Sequence, residues 1–151
     1  FNDQLKTFFI DKRKNSNNEI FICDSGNNII KKIITNSKPQ ILLNFAGTGI
    51  QGFFGENIPA KQAQLRNPFA ITQDNFGNFY FSDRNNYIIR KIDNSSINNP
   101  IISTIAGNRN FGTFTPDGNL AKNSSLNRLN EIVFDNKRNC LYFIEFFDDQ
   151  S

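Results

Sequence analysis

The chain contains no histidine, methionine or tryptophan, and only two cysteines, nine glycines and five prolines in 151 residues. Each scarcity excludes something. Catalytic metal sites usually need histidines or converging carboxylates, so the lack of histidine weighs against a metal-dependent enzyme built from these residues. Cys23 and Cys140 fall a full repeat apart on the reading below, too far for a disulfide. They are expected to be lone thiols, buried as small apolar groups. No apolar run is long enough to cross a membrane. Charge is also modest: 17 Lys and Arg against 14 Asp and Glu leave +3. The densest basic stretch, Lys12-Arg13-Lys14, is shorter than a nucleic-acid-binding arm and reads as a solvated loop.

What is abundant is asparagine, isoleucine, lysine and phenylalanine, in a repeated order. The stretch Leu65–Ile92, LRNPFAITQDNFGNFYFSDRNNYIIRKI, carries the unit. Pro68–Thr72 is a short apolar run, and Asn75-Phe76-Gly77-Asn78 a turn with Asn and Gly where positive φ is cheap. Phe79–Ser82 is an aromatic strand. Asp83–Asn86 is a second turn, with Asp83 expected to accept hydrogen bonds from the backbone N–H groups just ahead of it. Tyr87–Ile92 is a third strand, with Ile88, Arg90 and Ile92 on one face. Ile101–Ala106 is a fourth. The short connections predict an antiparallel meander.

The text recurs. Asp24–Ile33 matches Asp83–Ile92 at an offset of 59, Ala46-Gly47 matches Ala106-Gly107 at 60, Leu65 and Asp74 match Leu126 and Asp135 at 61, and Tyr80 matches Tyr142 at 62. A drifting period near 60 means one structural unit with small loop insertions. The expected fold is all-β: a β-propeller segment of four-stranded antiparallel blades. Blade one covers about 1–46, blade two about 65–107 and half of blade three about 126–151. Insertions at 47–64 and 108–125 join them, each ending in a short helical turn. This length cannot close a ring of such blades, so the remaining blades are expected from the rest of a longer parent chain.

SGNNIIKKI, NPFAITQDNFGNFYFSD and STIAGN resemble the NHL repeat across nearly the whole chain. The resemblance implies a propeller used as a binding platform. Ile29 and Ile88 stand where that family often has arginine, and Phe53–Ile58 replaces a more Gly- and Asp-rich loop.

In an up-and-down meander, the turn between strands two and three shares one rim with the insertions. The turns at 75–78 and 94–99 share the other. Recurring residues are scaffold, and the variable insertion rim is the place to look for recognition. Its candidates are Phe53, Phe54, Arg84, Tyr87, Arg109, Phe111 and Phe114, because aromatic and arginine side chains anchor interfaces. The competing structural role is packing of the phenylalanines between blades. Asp24, Asp83 and Glu145 end strand two once per blade, which favours turn closure over a cation ring. Asp117-Gly118-Asn119 reads as a tight turn. Asn94 and Asn123 begin sequons in loops and are candidate glycan acceptors. The expected function is a non-catalytic module binding a protein or other macromolecule, without a cofactor. The alternatives are a nucleic-acid-binding propeller, or part of a metal-dependent lyase or hydrolase.

Overall fold

A computed structural model describes residues 5–10, 19–96, 98–113 and 115–146. It is all-β. Strands β1 (Leu5–Ile10), β2 (Ile20–Asp24), β3 (Ile29–Ile34) and β4 (Ile41–Ala46) form one antiparallel sheet in chain order. The second sheet holds β6 (Pro68–Gln73), β7 (Phe79–Asp83), β8 (Ile88–Asp93) and β9 (Ile101–Ala106), again in chain order. The third is the pair β10 (Arg128–Asp135) and β11 (Cys140–Phe146). Among the described residues no helix is long and apolar enough to cross a membrane.

The sheets pack face to face, as propeller blades do. Alternation along each strand makes this possible, since one set of side chains faces the preceding sheet and the other the following one. Phe79 of β7 enters a pocket of blade one. Its ring centroid lies 4.2 Å from that of Phe21, 5.0 Å from Phe45 and 6.3 Å from Phe9. Cys23, Ile30, Leu65, Ile71, Phe81, Ile92 and Ile102 belong to the same core, with Ala46, Ala60 and Ala63 between them. A second, smaller core joins blades two and three through Ala70, Ile89, Ala106, Leu126, Leu129 and Ile132. Tyr80 stacks on Phe134 at 5.0 Å across the same seam.

The repeats are equivalent down to single hydrogen bonds. Gly47 N–H donates to Ala60 C=O, and Gly107 N–H to Ala121 C=O, both at 2.9 Å. Thr48 and Asn108 N–H donate to the carbonyls of Ala63 and Ser124 in the same way. The acceptors belong to or follow 3₁₀ turns at Ala60–Gln62 and Ala121–Asn123, so each insertion is pinned beneath the end of the fourth strand. Gly47 and Gly107 have φ of +93° and +94°. A Cβ at Gly107 would stand 2.3 Å from the Tyr87 carbonyl oxygen.

Four details differ from the sequence reading. Ile58–Pro59 is a short strand, β5, that pairs with β9 as a fifth strand of the second sheet. Tyr87 is not the first residue of a strand: it ends the 3₁₀ turn Arg84–Asn86 in the left-handed conformation, φ +57°. Asn28 does the same after Ser25–Asn27. Asp83 bonds no backbone N–H of its own turn. It accepts instead from Arg66 N–H at 2.7 Å and from Asn86 Nδ2 at 2.9 Å, because the incoming chain passes closer to its carboxylate. Cys23 is buried, but Cys140 is exposed. It starts β11, whose edge away from β10 is unpaired among the described residues. Lys12–Lys14 lie outside the described residues.

Candidate functional site

The insertion rim is assembled from the ends of β6, β7 and β9, with the two insertions laid over them. Local chemistry sets each contact. Asn86 Nδ2 donates to Gly52 C=O at 2.8 Å, tying the β7–β8 turn to the first insertion. Gln64 N–H donates to Phe54 C=O at 2.9 Å and closes the insertion on itself. Arg84 and Asn85 N–H donate to the carbonyls of Asn67 and Arg66. The rim is therefore a bonded surface rather than free loop.

Arg90 lies beneath it. Its side chain is fully buried, which requires paired partners. The guanidinium donates to the carbonyls of Gly55 and Gln64. It lies 3.5 Å from Glu56 and 3.8 Å from Asp83. Glu56 also accepts from Thr104 N–H at 3.0 Å and from the Thr104 hydroxyl. One cation thus holds the first insertion against β8 and β9. Burial pushes the Asp83 carboxyl up to about 7, against the opposing pull of its Asn86 and Arg66 donors and of the Arg90 and Arg109 charges. Burial likewise lowers the Arg90 guanidinium from its ordinary value.

Above this layer the Phe53 ring carries two guanidiniums, Arg109 at 4.0 Å and Arg90 at 5.5 Å from its centroid. The attraction is of cation to ring quadrupole. Phe53 is half-buried and Arg109 exposed, so the second insertion reaches back over the first. Tyr87 and Phe111 form a second pair, centroids 4.8 Å apart.

The seven candidates separate into groups. Phe53 and Arg109 meet in one contact, Tyr87 and Phe111 in another. Phe54 stands apart from both with 59% of its surface exposed. Arg84 is committed to the seam between blades: it lies over Phe69 at 4.8 Å, and its Nε donates to Asn130 Oδ1 at 3.0 Å. Phe114 lies outside the described residues. Asn94 is half-buried at the end of β8, and Asn123 is exposed in the second insertion's 3₁₀ turn. Among the described residues no three His, Cys, Asp or Glu side chains are grouped to hold a metal ion.

Sequence reasoning missed Arg90 and Glu56. A lone arginine between isoleucines on an inward face was the available clue to Arg90. Glu56 was marked only by its acidic counterpart Asp117, 61 residues on.

No family model matches the chain, and no curated protein matches it. Solved structures do. A structural-genomics protein of unknown function from Bacteroides thetaiotaomicron is 20% identical, with a TM-score of 0.67 over 85% of this chain and 30% of that one. An auxiliary nutrient binding protein from the same organism is 21% identical, TM-score 0.64, over 90% and 34%. Another auxiliary nutrient binding protein, from Bacteroides ovatus, is 18% identical, TM-score 0.63, over 91% and 34%. The chain spans about a third of the length of these proteins and shares their fold.

Proposed function

We propose that the chain is part of an NHL-type β-propeller that serves as a non-catalytic binding platform, taking a protein or other macromolecular ligand on its insertion rim. The ordered motif series supports the repeat type. Two solved proteins of the same fold are described as nutrient binding proteins, which supports a binding role. The observation that carries the reading is the rim itself. Arg109 pairs with Phe53, and Tyr87 with Phe111, so both insertions and the turn before β8 contribute aromatic or cationic side chains to a bonded scaffold. Phe54, apart from these contacts, is exposed on the first insertion. Rigid aromatic side chains bind with little loss of conformational freedom.

The test is site-specific photocrosslinking in the longer parent protein. A crosslinker replacing Phe54 on the insertion rim is compared with one replacing Phe76, 84% exposed on the opposite rim. The expected result is a discrete protein adduct from position 54 alone. Affinity for that protein should then fall at least about tenfold in the Arg109→Ala, Phe111→Ala double variant. Adducts from position 76 alone, or an unchanged affinity, would remove the rim assignment. RNA in the adduct, with binding that weakens steeply as salt rises, would move the reading to a nucleic-acid platform; the exposed Arg66 and Arg109 are the observation behind that second reading.

A further inference from the structure

The two insertions open with the same backbone, and one position in it has changed its chemistry. Gly47, Thr48 and Gly49 of the first correspond to Gly107, Asn108 and Arg109 of the second, at an offset of 60. The hydrogen bonds agree: Gly47 and Gly107 N–H donate to Ala60 and Ala121 C=O, and Thr48 and Asn108 N–H to Ala63 and Ser124 C=O. The third position is left-handed in both, with φ +88° at Gly49 and +71° at Arg109. Glycine takes that conformation freely, whereas an L side chain is strained in it. Among the described residues six others than glycine have positive φ, and four of them are asparagines, which tolerate it. Tyr87 repeats the turn that Asn28 closes. Arg109 stands where the scaffold otherwise uses glycine, so strain is accepted there for the sake of a side chain.

That side chain is exposed and lies over the Phe53 ring at 4.0 Å. Among the described residues it has no salt bridge. Two acids of the same rim are engaged elsewhere. Glu56 serves Arg90 and Thr104, and Asp83 serves Arg66 N–H, Asn86 and Arg90. A guanidinium held over an aromatic ring uses its face there, which leaves the N–H groups along its edge to donate. Their fork matches a carboxylate, which accepts two parallel bonds. Exposed apolar side chains share the two insertions: Ile50 at 62%, Phe54 at 59% and Phe111 at 44%. They suit a protein surface better than a nucleic acid, whose backbone asks for a track of cations.

We propose that Arg109 is the anchor for an aspartate or glutamate side chain of a protein partner, and that the left-handed strain at this position is tolerated for that contact. The anchor rests on the rim being a protein-binding surface, and it names what the bound protein must offer. Phe53 holds the guanidinium in place before the partner arrives, so little side-chain freedom is lost on binding.

Replacements of Arg109 in the longer parent protein separate recognition from folding. Arg109→Gly gives the position the residue its counterpart carries. Its thermal midpoint should hold or rise, while affinity for the protein crosslinked at position 54 falls at least about tenfold. Arg109→Lys keeps the charge without the fork and should recover little of that affinity. Arg109→Glu should bind more weakly still, and exchange of one acidic residue for arginine in the crosslinked segment of the partner should restore binding. Unchanged affinity in Arg109→Gly, with the adduct at position 54 intact, overturns the anchor and leaves the rim reading standing. The absence of any protein adduct at position 54 removes both. RNA in the adduct overturns the carboxylate in favour of phosphate. Full affinity in Arg109→Lys refutes the forked pairing, and a midpoint several degrees lower in Arg109→Gly assigns the arginine to the fold instead.

Discussion

At the scale of the residue, Arg90 is the most consequential side chain described. It was readable as one inward-facing position on a strand, but its four partners come from an insertion 26 to 35 residues earlier and from Asp83. Arg90→Ala would leave the Asp83 carboxylate buried without its cation and free the Gly55–Glu56 segment. Breaking a buried pair on one side costs about 3–5 kcal/mol, so urea unfolding should show a loss of that order. Asp83 makes a second prediction, and its sign follows from linkage. Its folded pKa, about 7, stands above the ordinary aspartate value of 3.8. The stability it contributes is therefore fully present below pH 3.8 and is lost as pH rises through 7. The slope from one such group is at most about 1.4 kcal/mol per pH unit. Asp83→Asn keeps an oxygen for Arg66 N–H and removes the titration. Unfolding free energies measured across this range should fall with pH in the parent more steeply than in that variant.

At the scale of the element, the turns decide the geometry and the strands fill it. Gly107 follows β9 with φ +94° and no room for a Cβ beside the Tyr87 carbonyl. Gly112 lies in the second insertion with φ +75° and nothing within 4 Å of a built Cβ. Gly107→Ala should combine left-handed strain with a backbone clash, whereas Gly112→Ala meets strain alone, about 1–2 kcal/mol. Thermal melts of the two variants should place Gly107→Ala clearly lower. In the seam between blades, Phe79→Ala would open a cavity among Phe9, Phe21 and Phe45. A loss of about 3–5 kcal/mol is expected on chemical denaturation.

At the scale of the whole molecule, blade three presents Val133, Tyr142, Ile144 and Phe146, each about half exposed. The counterpart residues of blade two face the next sheet and are covered by it. An apolar sheet face of this kind associates when left bare. Residues 1–151 expressed alone should self-associate with rising concentration in sedimentation velocity. Tyr142→Lys with Ile144→Lys should shift the population towards monomer. A monomer at every concentration would show that the face is tolerated in water.

The sequence by itself determined the repeat, the strands and the rims. Those features rest on local chemistry: alternation that repeats every second residue, Asn and Gly where φ turns positive, and an order of motifs seen again near 60 residues on. It also determined which side chains stand on the insertion rim, since strand parity alone assigns a loop to a rim. Only the tertiary structure decided what those side chains do. Phe53 and Arg109 lie in different insertions, and their contact depends on how two blades stack. Arg84 looked as free as Arg109 but is tied to Asn130 across a seam. The pairing of Ile58–Pro59 with β9 and the left-handed Tyr87 were equally illegible, as was the exposure of Cys140. In each case the deciding partner, or its absence, belongs to a neighbouring strand, insertion or blade. Pattern reports which face a residue occupies, while the neighbour it meets there is set by packing between segments distant in the chain.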